Sequence, residues 1–238
     1  MHIHVGTSGW NYPHWKGVFY PEGLKSRDWL SFYTQRFDTL ELNVTFYREV
    51  KADTFRKWRD TAPVNFLFSA KMSRFITHIK RLKVEAASVN RFLEGVTALG
   101  DSLGVILIQL PPSLPFDEGS IRRFLALLDG RFRYAIEPRH GSFVSDTFFS
   151  LLEERNVAWC ISETAGRYPY VEAVTADFVY MRLHGREKLY ASSYRNDELS
   201  GIKEKLLAWG KDGYVYFDND ASGFAPANAA TLKTMLEA

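Results

Sequence analysis

Apolar side chains run along this chain in two rhythms. Short clusters rich in β-branched, aromatic and leucine residues, IHVGT, TLELNV, NFLFSAK, GVILIQL, FRYAIE, VAWCIS, FVYMRLHG and YVYFDND, read as strands. Between them lie SRDWLSFYTQRF, ADTFRKWRDTA, EAASVNRFLEGVTALGDS, EGSIRRFLALLDG, SDTFFSLLEERN and NDELSGIKEKLLAWGKDG, whose patterns suit helices. Ser26, Asp146 and Asp197 stand where N-caps are expected, and Gly130 and Gly210 fall near helix ends. Strand and helix in alternation imply a parallel sheet, and in 238 residues its closure into one TIM-like (β/α)8 barrel with outer helices is the expected architecture. A doubly wound sheet is the rival, but no GxGxxG follows the first strand to support it. No repeat or low-complexity linker interrupts the pattern, so residues 1–238 are expected to form a single domain.

Side chains alternate faces along a strand, which lets each polar strand end be traced inward or outward. In FRYAIE the apolar Phe132, Tyr134 and Ile136 face the helices, leaving Ala135 and Glu137 to point into the barrel. The same parity turns Leu40, Leu42 and Val44 outward and Glu41 and Asn43 inward. It also brings in Ser69 and Lys71, Gln109, then Tyr180, Arg182 and His184, and finally Tyr216 and Asp218. Barrel interiors are ordinarily filled with branched apolar residues, so a ring holding Glu41, Lys71, Glu137, Arg182, His184 and Asp218 needs a reason. Burying a lone charge costs several kcal/mol, roughly, so the ring must be mutually paired, solvated or kept for a ligand. Its expected place is the C-terminal mouth, where loops of such barrels build sites.

Composition narrows the partners. Apolar residues make up 46% of the chain, enough for a substantial core, and the net charge of +2 announces neither a nucleic-acid nor a membrane-surface partner by itself. Any anion site is therefore local. Cys160 is the single cysteine, which rules out an intrachain disulfide and a thiolate zinc cluster and suits a reducing compartment. Without a signal-peptide pattern or a long apolar run, a cytoplasmic protein with no membrane partner is expected.

The first loop, TSGWNYPHWKG, offers Ser8, backbone amides around Gly9 and the aromatic Trp10, which suit an anion and a flat ring respectively; a tight turn under an aromatic lid is the plainer alternative. Arg74 and His78 follow Lys71 and suit a phosphate or carboxylate clamp, or simple solvation. Glu41, Glu137, His140, His184 and Asp218 carry metal-ligand chemistry, but Lys71, Arg139 and Arg182 share their ring and oppose a divalent ion, and no HExxH spacing occurs. No metal and no cofactor is therefore expected. GTSGW is not a GxSxG elbow, and Cys160, flanked by apolar residues, reads as packing.

Seven stretches in order, VGTSGWNYPHWKGVFYP, ELNVTFYR, FSAKMSRFITH, LIQLPPS, EPRHGSF, RLHGR with YASSYRNDEL, and YFDNDASGFAPANA, resemble the YecE-like family, a family of unknown function. The resemblance spans nearly the whole chain and implies a TIM-barrel-like fold but no reaction. The chain departs from the family pattern at Pro138, where an apolar residue is usual, at Phe143, where tryptophan is, and at Asp218, where asparagine is common.

The leading functional expectation is an enzyme, a hydrolase or an isomerase, acting by acid/base chemistry on a small anionic or phosphorylated substrate. Glu41, Glu137, His184 and Asp218 are the candidates for moving protons. Ser8, Trp10, Asn43, Lys71, Gln109, Arg139, His140, Arg182 and Asn219 are the candidates for binding. The alternatives are a non-catalytic nucleic-acid-binding protein and a metal-dependent phosphoester hydrolase. On the leading view, Glu137→Gln removes binding with little loss of stability; a purely structural ion pair gives the reverse.

Overall fold

Eight parallel strands close in sequence order, with the last pairing the first, in a computed structural model that describes all 238 residues. They are β1 (Ile3–Ser8), β2 (Thr39–Leu42), β3 (Leu67–Lys71), β4 (Leu103–Gln109), β5 (Arg133–Glu137), β6 (Val157–Glu163), β7 (Phe178–Leu183) and β8 (Asp212–Phe217). The expected TIM-like barrel is the observed fold.

The alternation of side chains separates two cores. Leu40, Leu42, Ile106, Ile108, Tyr134, Ile136, Met181 and Leu183 pack outward with the helices in one large apolar cluster. Val105, Leu107, Ala135, Ala158, Cys160, Phe178, Tyr180, Tyr214 and Tyr216 fill the lumen as a second, separate cluster. Cys160 is thus packing inside the barrel, and burial pushes its thiol up, away from a reactive thiolate. Tyr216 closes the middle of the lumen, its hydroxyl set between Thr39 Oγ1 at 2.6 Å and Ser69 Oγ at 2.8 Å. Above this aromatic plug the inward positions become ionic.

The outer layer departs from a regular ring of helices. The helices are α1 (Trp29–Thr34), α2 (Val44–Tyr47), α3 (Ala52–Thr61), α4 (Ala86–Val96), α5 (Glu118–Leu125), α6 (Asp146–Glu153), α7 (Asn196–Trp209) and α8 (Phe224–Glu237), with a π-helical turn at Phe75–Ile79. No helix joins β6 to β7: Gly166 takes a left-handed φ of 74° and Pro169 follows, so the segment cannot hold a helical ladder. Val171, Ala173 and Val174 pack on the core in its place, and Trp159 Nε1 donates to the Val171 carbonyl. The β2 strand stops at Leu42, because Asn43 and Val44 turn into the short α2 rather than continuing the alternation. The caps also shift: Ser145, not Asp146, accepts from the Phe148 N–H, and Arg195, not Asp197, stands before α7. Both carboxylates instead occupy first turns, where the positive end of the helix dipole favours them. Ser26 starts a 3₁₀ turn rather than capping it, and Gly130 lies well past the end of α5, while Gly210 does close α7 with a φ of 63°.

Candidate functional site

Arg182 is the hub of the mouth. Its guanidinium is 1% exposed, and it takes Glu41 in a two-pronged grip, Nε to Oε2 at 3.0 Å and Nη2 to Oε1 at 2.7 Å. Nη1 donates to Glu137 Oε2 at 2.9 Å, and Nη2 reaches Ser8 Oγ at 3.0 Å and Asp218 Oδ2 at 3.3 Å. Parallel register places these groups side by side, since Ser8 pairs with Glu41, Gln109 with Glu137 and Ser162 with Arg182. A planar fork suits this task because it meets several carboxylates in fixed directions.

The carboxylates are individually satisfied. Glu41 also accepts from Tyr180 Oη at 2.7 Å and from Ser8 Oγ. Glu137 accepts from Gln109 Nε2 at 2.8 Å, from Arg139 at 3.1 Å and from Ser162 Oγ at 3.2 Å. Burial pushes the Glu137 carboxyl up, but Arg182, Arg139, His184 and Lys71 together outweigh it and hold the group well below the usual carboxylate range. Asp218 is likewise lowered, its burial offset by His184, Arg182 and Lys71.

His184 fixes the direction in which a proton could move. Its Nε2 lies 3.1 Å from Arg182 Nη1, which can only donate, so Nε2 is the acceptor and Nδ1 carries the hydrogen. That Nδ1 sits 2.9 Å from Asp218 Oδ2, close but out of line for a full hydrogen bond. Glu41, Glu137 and His184 are completely covered, whereas Asp218 keeps 19% of its side chain in contact with solvent. Asp218 is therefore the member of the acid/base set that stands at the rim.

Two cations share that rim. Arg139 leans over the Tyr168 ring at 4.6 Å while holding Glu137. Lys71, mostly covered, has no carboxylate within ion-pair distance; its Nζ lies 4.4 Å over the Phe46 ring. Burial first, and then Arg182, bring the Lys71 amine down to about 8. His78 senses the same field. Burial, followed by Lys71, Arg139 and Arg74, holds its imidazole down at about 4, with Glu137 the opposing carboxylate. Lys71→Met should therefore raise the His78 pKa, read from its ring signals in an NMR titration; an unchanged value would mean that Lys71 does not shape the potential here.

The expected residues thus divide. Ser8, Glu41, Lys71, Gln109, Glu137, Arg139, Arg182, His184 and Asp218 come together at the C-terminal mouth. Trp10 stands edge-on against Trp58 and packs on the core. His140 turns back on Ser142 to cap a 3₁₀ turn. Asn219 points away from the lumen, as its parity requires, and ties Ser192 to Asn228. Asn43 precedes α2 with its Oδ1 buried and unpartnered. Ser162 and the half-buried Tyr168 belong to the site but were not singled out from sequence; inward parity one strand along would have found Ser162. Tyr190, with a left-handed φ of 63° and its ring 5.4 Å from that of His184, came from a loop with no periodic signal.

Two other features lie off the mouth. A cavity of about 710 Å³ opens between α2, α3, α4 and the π-helical turn, and is lined by Arg48, Arg74 and Arg91 among apolar walls. It is a groove of the outer layer, and the convergent polar groups are elsewhere. Although no HxH spacing was expected from the sequence, His2 and His4 form one at the opposite barrel end, where they gather with Asp38. Asp38 Oδ2 is already approached there by Lys233 Nζ at 3.6 Å.

Comparison with known proteins places this geometry. The family described as "Protein of unknown function DUF72" matches residues 4–238. UPF0759 protein YecE of Escherichia coli (strain K12) is 30% identical over 142 residues, 59% of this chain and 50% of that protein, so the chain spans about half the length of this relative. UPF0759 protein YunF of Bacillus subtilis (strain 168) is 24% identical over 99% of this chain and 95% of that protein. Among solved structures, a family member from Thermotoga maritima superposes with a TM-score of 0.87 at 27% identity, covering 100% of both chains. One from Enterococcus faecalis gives 0.87 at 19%, covering 99% of this chain and 96% of that one, a likeness of fold.

Proposed function

The chain belongs to the DUF72 family of proteins of unknown function, so no inherited reaction guides the reading, and we propose from the geometry that the barrel mouth is an enzyme site for a small anion. The anion, a carboxylate or a phosphate, docks between Lys71 and Arg139. Asp218 exchanges a proton with it, and His184 behind Asp218 steadies the carboxylate and takes up part of its charge. Arg182, Glu41, Glu137, Gln109 and Ser8 form the buried frame that holds these rim groups in place. Glu41 and Glu137 thus position rather than react, because every direction around them is occupied by a donor.

The observation that carries this reading is the unpaired Lys71. A covered ammonium with no carboxylate of its own, set beside Arg182 and acting with Arg139 on His78, leaves positive potential at the rim. Phosphate, sulfate and small dicarboxylates are expected to raise the melting temperature of the wild type, and Arg139→Ala and Lys71→Met to lose most of that gain. A panel of anions that leaves the melting temperature unmoved would defeat the reading. The reaction class on this account is hydrolysis or isomerisation. A lone buried thiol, together with the absence of any helix long and apolar enough to cross a membrane, supports the cytoplasm as its place.

One observation favours nucleic acid as a second reading. Arg48, Arg74 and Arg91 line the outer cavity without an ion pair, and the exposed Tyr47 and Phe75 stand beside them as stacking surfaces. Binding of this kind falls steeply with salt and is lost in Arg74→Ala, whereas binding at the mouth keeps its affinity in that variant.

A further inference from the structure

Resting on the reading of the mouth as an anion site, we propose that Lys71 is a nucleophile, and that the substrate is an anion bearing an aldehyde or ketone which the Lys71 amine captures as a Schiff base. The position is the first argument. Lys71 is the last residue of β3, at the end of the barrel where loops build sites, and its strand end is anchored by Thr45 Oγ1, which donates to the Lys71 carbonyl at 2.7 Å. The second is the surroundings. The side chain is 8% exposed, makes no hydrogen bond or ion pair, and rests against the face of Phe46. A structural lysine at such depth would be expected to find a carboxylate, and this mouth holds Glu41, Glu137 and Asp218, all of which turn to Arg182 instead.

A lysine becomes nucleophilic when burial and a neighbouring cation disfavour its ammonium form, and both causes act here, with Arg182 the cation. The groups facing the amine from the other strands are Arg182, Glu137, Glu41 and Asp218, with His78 beyond it on its own connection. Near neutral pH a usable fraction of the amine is therefore unprotonated.

The step balances without an oxidant or reductant. The amine lone pair attacks the carbonyl carbon and the C–O π pair moves to oxygen. One proton passes from nitrogen to that oxygen to give a carbinolamine. A second proton is taken up from solvent, the hydroxyl leaves as water, and the nitrogen lone pair closes the C=N bond as a protonated imine. Arg139 holds the anionic group of the substrate, and Asp218 stands at the rim to remove or return a proton on the carbon next to the imine. An imine withdraws electrons from that carbon, which is what isomerisation or carbon–carbon cleavage of such a substrate requires.

Glyoxylate, the smallest anionic aldehyde, is the probe. Wild-type protein incubated with glyoxylate and cyanoborohydride across the pH range 6–10 (about two units either side of the Lys71 midpoint of about 8) is digested and mapped by mass spectrometry. The expected result is a carboxymethyl adduct on Lys71 that forms at least about tenfold faster at pH 7.5 than on the exposed Lys80 and Lys83, because an amine brought down to about 8 is partly unprotonated at that pH. Its rate should rise through about pH 8 and level off above it. Lys71→Arg, whose guanidinium cannot form an imine, should lose the adduct. A Lys71 labelled no faster than Lys80, or not at all, overturns the inference. If phosphate still stabilises the wild type in that case, the anion site survives and only the nucleophile falls; if phosphate fails as well, both do.

Discussion

Replacing Arg182 with methionine is expected to lower the stability of the fold by about 3–5 kcal/mol, the cost of leaving buried carboxylates without their cation. For a domain of this length that corresponds to a fall in melting temperature of roughly 6–20 °C, a large share of ordinary protein stability. The magnitude follows from the hub geometry: one guanidinium serves Glu41, Glu137 and Asp218 and contacts Ser8 and His184. Adding Glu41→Gln to Arg182→Met should restore part of the loss, because one of the stranded charges then disappears. Urea melts of the two single variants and the double give the coupling directly. Additive losses would mean that Glu41 and Arg182 are neighbours without energetic connection.

Glu137→Gln is expected to destabilise by about 3 kcal/mol at neutral pH, since it leaves Arg182 and Arg139 facing a neutral amide. This revises the expectation drawn from sequence, that the variant would keep its stability. From sequence alone the pairing of Glu137 within the ring of charges was open, whereas in the structure it is fully covered and accepts from four side chains. Anion binding should weaken as well, because Arg139 loses the partner that aims it. The pH dependence carries a sign. The folded-state pKa of Glu137 is depressed, so its stabilisation is present above the unfolded value near 4.5 and disappears as pH falls below that value towards the lower folded one. The stability gap between wild type and Glu137→Gln should therefore be widest near pH 7 and close in acid. A gap that stays constant to pH 3 (roughly one unit or more below the unfolded pKa) would mean that the ionised form is not what stabilises.

Much of the fold was legible because both of its signals are local. Strand parity needs only a few residues, and it brought Glu41, Lys71, Gln109, Glu137, Arg182, His184 and Asp218 to one end of the barrel. It weakens past a strand's end: Asn43 lies beyond the last residue of β2, and Asn219, beyond the end of β8, has outward parity and ties Ser192 to Asn228. Trp10 and His140 were chosen for their chemistry within loops, and loops have no period from which to infer direction. The division of labour was also out of reach. Sequence placed Glu41, Glu137, His184 and Asp218 on equal terms; only depth separates Asp218 at the rim from the three below it. The missing helix between β6 and β7 was written in Gly166 and Pro169, but α8, which carries Pro226 in its first turn, reads much less like a helix than it is.

On the proposed reading the mouth holds positive potential for an anion, and His78 is its built-in reporter. Burial, followed by Lys71, Arg139 and Arg74, keeps its imidazole at about 4, so a bound anion should relieve the part of that lowering due to the three cations. Titrating the His78 ring signals by NMR, with and without saturating phosphate, is the most direct test. The low pKa of the free protein should move up towards the ordinary histidine value of about 6.5 when phosphate is present. A His78 that titrates at its low value whether or not phosphate is added would contradict it.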